Sequence, residues 1–585
     1  ASLLGARALQ VQGLDPGSNA ADALSETIRR PIIPATRGTV TDRYGATLVT
    51  SEPAVTIVAD PSIIATNGVN PDHVDLMSEL KAQAGPGLIS GVLYRHLGGD
   101  FDSYYKTLTT THGADGDTLR YAVVARSVRN YEDVLVNQEL ARLGYIGLDE
   151  ESAPVRLHAQ GTLAANVLGY MVYDEQLDGE GRYPWSGGGG LELALDANLA
   201  GVDGREEYEA SSHGRIPTGS TVLEAPQNGI SYELTLDSGL QYMADTRLKA
   251  AVQEHAARWG AMVVMNAKTG EVLALSNYPT FDPNDIAHAA EENLRNRAVT
   301  EAYEPGSVQK VLTMAALLDS GLAATDTKVV VPGCITSAGR PLCDDDAYHA
   351  TLNLTALGVI ARSSNVGMAL LTRQMDKGQL SGYLSSFGLG QKTGLGWPGE
   401  STGDLPGADM TNQTQDQIAF GQGLSVTAVQ EAAAVAAVVN GGTYHSPTLI
   451  RQAWSADGQP YQVPGQEVRQ VISEQASHDL VSMMEAAIVT AGKGVDGYRV
   501  AGKTGTADRY NADCACYRGT VGTFVGVAPA EDPEILVYVA LDDPQVGQYG
   551  SQVAQPAATD ILKVALPLYG VKPSTTAAPE FVTNW

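Results

Sequence analysis

Three short polar motifs, far apart along the chain, constrain this sequence more than any other feature. Ser307-Val308-Gln309-Lys310 comes first, and the segments 363–365 (Ser-Ser-Asn) and 503–506 (Lys-Thr-Gly-Thr) follow 56 and 196 residues beyond Ser307. Each motif alone occurs often by chance. In this order, each in a suitable local setting, they predict a site in which a serine attacks a carbonyl, because a serine needs a neighbouring base to become a nucleophile.

The first motif lies at the start of a predicted helix. Pro305-Gly306 breaks the chain, and apolar residues then recur at helical spacing. Free backbone N–H groups at a helix start favour negative charge developing on Ser307, and Lys310 lies one turn away on the same face. Lys310 is a candidate base, provided that burial or a second cation such as Lys503 lowers its pKa. The alternative is an ordinary Ser N-cap followed by a solvated lysine.

The second motif precedes another apolar helical run, so it is predicted to lie in a loop where a helix begins. The hydroxyl of Ser363 can relay a proton between an amine and a leaving group, and the amide of Asn365 can bind a substrate carbonyl. A plain helix cap is the alternative, because Ser and Asn favour that position in any case.

The third motif precedes a stretch that reads as two strands joined by a turn. Gly505 at the centre of a strand lets a ligand backbone approach closely. Lys503 and the hydroxyls of Thr504 and Thr506 can then hold a carboxylate. Lys392 begins a second Lys-Thr-Gly, but it lies in a Gly-rich stretch that is predicted to be a loop, and no catalytic role is assigned to it.

Long stretches around these motifs resemble the class B penicillin-binding proteins, which are peptidoglycan D,D-transpeptidases. The motif set itself is shared with serine β-lactamases. The stretches that carry the resemblance are 226–241, 259–285, 296–307 and 420–430 in the catalytic part, and 36–48, 156–171 and 187–209 in the N-terminal part. The resemblance spans about residues 30 to 570. It favours the cell-division branch over the elongation branch, mainly through the IPTG and LAGVDG segments.

The resemblance implies an α+β fold in two parts. Residues 1–225 are expected to form an elongated, irregular, non-catalytic module of the pedestal or dimerisation type. Residues 226–570 are expected to form a transpeptidase domain that is similar to serine β-lactamases, with an antiparallel sheet flanked by helices. Residues 571–585 have loop composition and are predicted to be a mobile tail.

The resemblance also implies a role for each motif residue. Ser307 attacks the carbonyl of the penultimate D-Ala of a stem peptide, Lys310 is the base, and β-lactams acylate the same serine. The catalytic residues are Ser307, Lys310, Ser363, Asn365 and Lys503. The substrate-binding residues are Thr504, Gly505 and Thr506, and the oxyanion donors are the backbone N–H groups of Ser307 and Thr506. The family uses no cofactor and no metal.

Charge and hydropathy restrict the partners. The 38 basic and 67 acidic residues give a net charge of −29, which argues against nucleic acid or an anionic membrane face as the main partner. No run of 18 apolar residues occurs. The opening segment looks like the juxtamembrane remnant of a single N-terminal anchor, so the native protein is expected on the outer face of the cytoplasmic membrane.

The N-terminal module has a motif of its own. Arg37-Gly38 and Asp42-Arg43 match the opening motif of the family's N-terminal module but precede the transpeptidase part by almost 200 residues. By resemblance this module contacts a polytopic membrane glycan polymerase. The alternative is that Arg37 and Asp42 pair with each other and only fold the module.

Four cysteines fit an oxidising compartment but allow three pairings. Cys334 and Cys343 flank a predicted turn and are a possible disulfide. Cys514 and Cys516 are separated by one residue, where a direct bridge is expected to be strained. No histidine lies at the offsets that zinc requires. The run 344–346 (Asp-Asp-Asp) is either a calcium ligand set or, as we expect, a solvated acidic loop.

Two other classes of protein share parts of this pattern. A serine β-lactamase has the same motifs, but it has no use for a 225-residue N-terminal module, and no clear Glu-x-x-Leu-Asn lies between the second and third motifs. A non-catalytic β-lactam sensor or scaffold has no need of Lys310, Ser363 and Lys503 together. The sequence leaves open whether the third residue of the stem peptide is lysine or diaminopimelate.

Overall fold

The computed structural model describes residues 28–29, 32–69, 75–113, 116–173, 185–211, 214–345, 350–511 and 514–585. The opening segment that resembles a juxtamembrane remnant and Asp346 of the acidic run lie outside these ranges. Within them, no helix combines the length and the apolar character needed to cross a membrane.

The N-terminal part alternates short strands and helices. Its strands are β1 (Ile28–Arg29), β2 (Ile32–Ile33), β3 (Val40–Thr41), β4 (Thr47–Glu52), β5 (Ala54–Ala59), β6 (Ala122–Arg129), β7 (Leu148–Ser152), β8 (Val155–His158), β9 (Tyr170–Tyr173), β10 (Trp185–Gly189), β11 (Gly204–Ser211) and β12 (Gly214–Glu224). Its helices are α1 (Pro61–Thr66), α2 (Leu76–Leu97), α3 (Phe101–Thr109), α4 (Asn130–Leu143), α5 (Ala165–Leu168), α6 (Gly190–Ala194) and α7 (Asp196–Leu199).

The C-terminal part has longer elements. Its strands are β13 (Ser231–Leu234), β14 (Trp259–Asn266), β15 (Val272–Tyr278), β16 (Lys328–Val331), β17 (Cys334–Ser337), β18 (Arg340–Cys343), β19 (Leu352–Thr355), β20 (Thr443–His445), β21 (Ile450–Trp454), β22 (Pro460–Tyr461), β23 (Val468–Gln470), β24 (Ala501–Asn511), β25 (Cys516–Ala528) and β26 (Ile535–Asp542). Its helices are α8 (Ser238–Glu254), α9 (Arg297–Thr300), α10 (Gln309–Asp319), α11 (Ala356–Ala361), α12 (Asn365–Thr372), α13 (Lys377–Ser386), α14 (Asn412–Ile418), α15 (Ala428–Val439), α16 (Glu474–Thr490), α17 (Gly550–Val553) and α18 (Gln555–Leu568), and three-residue 3₁₀ turns span Ile286–His288, Glu291–Asn293 and Gly306–Val308.

Part of the N-terminal module has a small core of its own. Strands β6, β5 and β7 form an antiparallel sheet with β5 in the centre. Ile57 of β5 packs in one apolar cluster with Leu93 of α2, Leu108 of α3 and Val136 of α4, all of them buried. Burial of these side chains stabilises this unit apart from the main core of the chain.

A six-stranded sheet joins the two parts of the chain, in the order β22-β21-β13-β3-β4-β8. Strand β13 lies parallel to β3, with Tyr232 opposite Val40, whereas the other pairs are antiparallel. The N-terminal module therefore contributes strands to a sheet that the C-terminal part completes. The boundary between residues 225 and 226 stays a prediction.

The main sheet of the C-terminal part has the order β15-β14-β26-β25-β24 and is antiparallel throughout. Neighbouring residues on a strand face opposite sides of it. Val263 belongs to the cluster that includes Val311 of α10, and Val264 belongs to the cluster that includes Leu248 of α8 and Ile561 of α18. Helices therefore cover both faces of the sheet, which confirms the predicted fold class.

The C-terminal segment 571–585, for which composition predicts a mobile tail, contacts the domain in the structure. The backbone N–H of Thr355 donates to the carbonyl of Thr583 (3.1 Å), and Phe581 packs against the main core. A Cβ on Gly358 would lie 1.9 Å from the carbonyl oxygen of Thr583, so only glycine permits this approach. Composition misses these contacts because a few apolar residues, among them Val571 and Phe581, and backbone hydrogen bonds hold the segment.

Glu431 of α15 is an unexpected carboxyl in the core. Its side chain is fully buried, and neither oxygen has a hydrogen-bond partner among the described residues. Burial raises the pKa of this carboxyl to about 8. The folded chain therefore keeps a proton that the unfolded chain releases, and the folded state loses stability as the pH rises from about 4.5 to about 8.

We expect Glu431→Gln to remove this pH dependence. The melting temperature of the variant minus that of the unmodified chain should be larger at pH 8 than at pH 5. The reason is that the raised pKa of Glu431 lowers the free energy of unfolding of the unmodified chain at pH 8 by a few kcal/mol. Thermal unfolding at the two pH values measures this difference. Glu474→Gln, at the exposed start of α16, is the control. A difference in melting temperature that is the same at both pH values would show that Glu431 does not titrate with folding.

Candidate active site

The first motif lies where a 3₁₀ turn leads into α10. Gly306 has a φ of 63°, and a Cβ on it would lie 2.7–2.9 Å from backbone atoms of Thr506, so the turn requires glycine. The hydroxyl of Thr523 donates to the carbonyl of Pro305 (3.0 Å) and so fixes the residue that precedes Gly306. Ser307 is half-buried on this turn, and Lys310 is fully buried one turn later.

The second motif lies between α11 and α12, as its sequence predicts. Ser364 is the N-cap of α12 and accepts a hydrogen bond from the N–H of Gly367 (2.8 Å). Because Ser364 takes the capping role, Ser363 and Asn365 are available to the site. Ser363 has a φ of 58°, a region that residues with a side chain seldom occupy, and such outliers cluster at functional sites.

The third motif lies on β24, the edge strand of the main sheet, and Gly505 pairs with Thr523 of β25. A Cβ on Gly505 would lie 2.2 Å from the hydroxyl of Thr523 and 2.8 Å from the carbonyl oxygen of Pro305. Glycine at this position therefore lets β24 approach the turn that carries Ser307. The edge of β24 is the side on which an extended peptide can pair.

The three motifs meet at the hydroxyl of Ser363. Lys503 donates to this hydroxyl (2.8 Å), and Lys310 lies 3.2 Å from it. Lys310 also donates to the carbonyl of Ser363 and to the side-chain oxygen of Asn365 (2.6 Å). Among the described residues, the amine of Lys310 donates to the second motif and not to Ser307.

Burial controls the charge of the two lysines. Burial and, to a smaller extent, the nearby Lys503 cation hold the pKa of Lys310 well below its usual value, against the opposing effect of Asp345 and Asp344. Burial also lowers the pKa of Lys503 to about 7. The lowered pKa favours the neutral form of Lys310, the state in which an amine can accept a proton.

A cleft of about 550 Å³ runs past these side chains. It is bounded by the three motifs, by the β17–β18 hairpin and by the start of α17. The residues around it include Ser307, Arg340, Cys343, Asp345, Ser363, Asn365, Gln417, Thr504, Gly505, Thr506, Asp508 and Tyr549. The motif residues with a predicted catalytic or substrate-binding role all line the cleft, except Lys310 and Lys503, which lie buried beneath it.

Both cysteine pairs are disulfides. Cys334 and Cys343 are joined across the β17–β18 hairpin, in the pairing that the sequence suggested. Asn365 donates to the carbonyl of Cys343 (3.3 Å), so this hairpin helps to hold the second motif. Cys514 and Cys516 are also joined, contrary to expectation. Their Cα atoms are 5.2 Å apart, within the usual range, because the intervening Ala515 turns the chain with a φ of 48°.

The acidic run has a role that the sequence did not reveal. Asp344 accepts hydrogen bonds from the hydroxyl of Ser364 (2.9 Å) and the N–H of Val366 (2.9 Å), so it anchors the start of α12. Asp345 lines the cleft and acts electrostatically on Lys310 and Lys503. Asp344 and Ser364 are 20 positions apart in the sequence, so no local pattern predicts this contact.

The second Lys-Thr-Gly is separate from the cleft, as its loop setting predicts. Thr393 is buried, and its N–H donates to Glu400 (2.8 Å) within the same loop. Lys392 is exposed and is not among the described residues that line the cleft.

Comparison with known proteins agrees with this geometry. Residues 260–563 match the family model of the penicillin binding protein transpeptidase domain, and residues 32–234 match that of the penicillin-binding protein dimerisation domain. The probable peptidoglycan D,D-transpeptidase PenA of Neisseria gonorrhoeae is 31% identical over 563 residues, which cover 94% of this chain and 88% of PenA. This chain belongs to the class B penicillin-binding proteins. The resemblance stated from the sequence is confirmed.

Other members of the class B penicillin-binding proteins are similar to this chain. Penicillin-binding protein PbpB of Mycolicibacterium smegmatis is 37% identical over 417 residues, which cover 68% of this chain. The match spans only 62% of PbpB, less than two thirds of its length. Penicillin binding protein 3 of Mycobacterium tuberculosis, whose crystal structure holds aztreonam, has a TM-score of 0.69 and 27% identity, covering 95% of this chain and 100% of that structure.

Proposed function

We propose that this class B penicillin-binding protein is a serine D,D-transpeptidase that crosslinks peptidoglycan stem peptides, in septal wall synthesis. One observation carries the proposal: the hydroxyl of Ser363 lies between two buried amines, Lys310 and Lys503, beside the turn that presents Ser307. The transpeptidase family match and the name of the PenA relative support it.

The first half of the reaction forms an acyl-enzyme. A neutral lysine amine has two N–H bonds and one lone pair, and the carbonyl of Ser363 and the oxygen of Asn365 take the two N–H bonds of Lys310. The lone pair then lies next to the hydroxyl of Ser363 (3.2 Å), and in the proposed reaction it takes the proton of Ser307. The oxygen of Ser307 attacks the carbonyl carbon of the penultimate D-Ala, and the N–H groups of Ser307 and Thr506 stabilise the oxyanion, at about 3 kcal/mol for one such donor.

Release of the terminal D-Ala completes the first half, and the second half forms the crosslink. The proton passes from Lys310 through Ser363 to the nitrogen of the terminal D-Ala, and the C–N bond breaks to leave an ester on Ser307. The amine of a second stem peptide then attacks this ester, and the serine oxygen recovers a proton through the same residues. Asn365, Thr504 and the backbone along Gly505 orient the peptide. A β-lactam forms the same ester but has no leaving group that departs, so it remains bound.

Two measurements on the chain test this function. The unmodified chain should gain one penicillin per molecule by intact mass spectrometry, with an adduct that persists for many minutes. It should also transfer the acyl group of an N-acyl-D-alanyl thioester to an added D-amino acid. Absence of both reactions in a folded sample would overturn the proposal. Rapid loss of the penicillin adduct with hydrolysed penicillin as the product would favour a β-lactamase.

We further propose that the N-terminal module contacts a polytopic membrane glycan polymerase, and that the native protein has a single N-terminal membrane anchor. The dimerisation-domain match supports a non-catalytic role for residues 32–234. Family members carry their catalytic domain outside the cytoplasm, where the crosslinking substrate lies. In the structure, Arg37 pairs with Glu192 (2.6 Å) and Asp196 (2.8 Å) rather than with Asp42.

A substitution at Asp42 tests the proposed contact with the glycan polymerase. It is 1% exposed and accepts hydrogen bonds from the N–H of Ala46 (2.8 Å) and from the hydroxyl of Ser238 (2.6 Å) at the start of α8. Asp42→Ala should lower stability by about 1–3 kcal/mol because buried donors lose their acceptor. Below its melting temperature, the variant should still be acylated by penicillin, but a reconstituted complex should polymerise or crosslink less glycan.

Ser238→Ala is the matched control for Asp42→Ala, since it removes one donor and keeps the carboxylate. Normal polymerase activity with folded Asp42→Ala would contradict the partner role of this motif. Loss of penicillin acylation in the folded variant would show instead that Asp42 only maintains the fold.

A further inference from the structure

A second cavity, of about 340 Å³, lies between the elements that carry the second and third motifs. The end of α11, the end of α16, the start of β24 and the helices α17 and α18 form its walls. Arg362 and Lys493, which line it, are both exposed, so the cavity opens to solvent beside them. A ligand can therefore reach this cavity from the surface without passing through the main cleft.

The charged side chains that line the second cavity are all cationic. Within the described part of the chain they are Arg362, Lys493 and Lys503. The amine of Lys493 donates to the carbonyl of Ser551 (2.9 Å), and the amine of Lys503 donates to the hydroxyl of Ser363 (2.8 Å). Among the described residues, none of the three cations forms an ion pair with a carboxylate. Three such cations in a chain of net charge −29 favour a small anion as the occupant.

Gln555 narrows the class of anion. It lines this cavity, it is 3% exposed, and its side-chain oxygen has no hydrogen-bond partner among the described residues. A buried acceptor without a partner is costly, so the matching ligand carries a hydrogen-bond donor beside its negative charge. Phosphate has both at neutral pH, because each of its ionised forms keeps a P–OH group. Sulfate has the charge but no donor.

We infer that this cavity is a binding site for inorganic phosphate, with Arg362 and Lys493 on its ionised oxygens and Gln555 accepting from its P–OH group. The inference goes beyond the proposed transpeptidase reaction, which has no use for phosphate. The bound ion lies beside Lys503 and stabilises its charged form, as the Asp345 carboxylate does from the main cleft. Because burial lowers the pKa of Lys503 to about 7, phosphate acts electrostatically on the reaction centre from outside the main cleft.

Binding of phosphate to the penicillin-acylated chain tests this inference. Penicillin fills the main cleft and brings its own carboxylate to the third motif, so an anion that binds afterwards reports a different site. Isothermal titration calorimetry at neutral pH and fixed ionic strength then compares phosphate, sulfate and methyl phosphate. Methyl phosphate is a phosphomonoester and is mostly fully ionised at this pH, so it lacks the donor as sulfate does. Phosphate should bind about tenfold more tightly than either of the other two anions.

Three variants locate the site. The double variant Arg362→Ala/Lys493→Ala should weaken the binding of phosphate and of sulfate by about tenfold or more. Gln555→Met keeps the length of the side chain but has no amide oxygen, so it should reduce the preference for phosphate over sulfate to about one. The control Lys392→Ala, an exposed lysine outside both cavities, should leave the binding of both anions unchanged.

The comparison of anions on the unmodified chain needs no variant, so it decides the matter even if a variant fails to fold. Failure to bind phosphate at millimolar concentration, equal affinity for phosphate and sulfate, or equal affinity for phosphate and methyl phosphate would each overturn the inference. Phosphate binding that persists in the double alanine variant would overturn it as well. Absence of the penicillin adduct before the titration would count against the proposed function alone, because the same titrations on the unlabelled chain and the double variant still test the site.

Discussion

Replacing Ser307 by alanine should abolish covalent labelling of the chain by penicillin. The ester that penicillin leaves on a transpeptidase needs a serine oxygen, and alanine has none. The turn that carries Ser307 presents it half-buried on the cleft, next to the backbone of Thr506 and one helical turn from Lys310. Intact mass spectrometry of the variant after incubation with penicillin should show only the unmodified mass.

Peptide mapping of the labelled, unmodified chain completes this test. The adduct should lie on the peptide that contains Ser307. Ser320→Ala removes a serine from the far end of the same helix, where it caps α10 outside the cleft, and should leave labelling unchanged. Labelling that persists in Ser307→Ala would exclude Ser307 as the nucleophile and would redirect the search to the other cleft hydroxyls.

The local settings of the motifs follow from short sequence patterns. About ten residues are enough to encode each of these settings. They are a helix after Pro305-Gly306, a helix start at the second motif and a strand pair at the third motif. The sheet with helices on both faces was implied by the resemblance, and the disulfide between Cys334 and Cys343 is one of the pairings that the sequence left open.

Contacts between distant segments are what the sequence does not predict. Lys310 uses its N–H bonds on Ser363 and Asn365, more than 50 residues away, and no pattern near Lys310 indicates this. The docking of 571–585 depends on the absence of a side chain at Gly358, where the backbone of Thr583 passes. Such close approaches are properties of the packed chain and leave no periodicity in the sequence.

Polar groups in the core are also unexpected from sequence alone. Glu431 lies in a helical run of alanine and valine, where an apolar residue fits the pattern better. Asp344 belongs to an acidic run whose composition suggests a solvated loop, yet it holds Ser364 and the start of α12. Composition describes the average surroundings of a residue type, whereas these two side chains depart from that average.

Lys310→Ala should slow penicillin acylation of Ser307 by about 10² to 10⁴, because it removes the general base. Initial binding of penicillin should weaken far less, since Lys310 lies buried beneath the cleft and is not part of its lining. Stopped-flow measurement at increasing penicillin concentration separates the acylation rate constant from the dissociation constant of the first complex. The melting temperature of the variant shows whether the buried site remains folded.

The chain provides its own control for Lys310→Ala. Lys392 is also a lysine in a motif-like context, but it is exposed and lies outside the cleft, so Lys392→Ala should acylate at the unmodified rate. Similar acylation rates for the two variants would make the base assignment wrong. Slower acylation of Lys310→Ala with unchanged initial binding of penicillin would instead fit the assigned role. In that role, burial lowers the pKa of Lys310, and the lone pair of its amine takes the proton of Ser307.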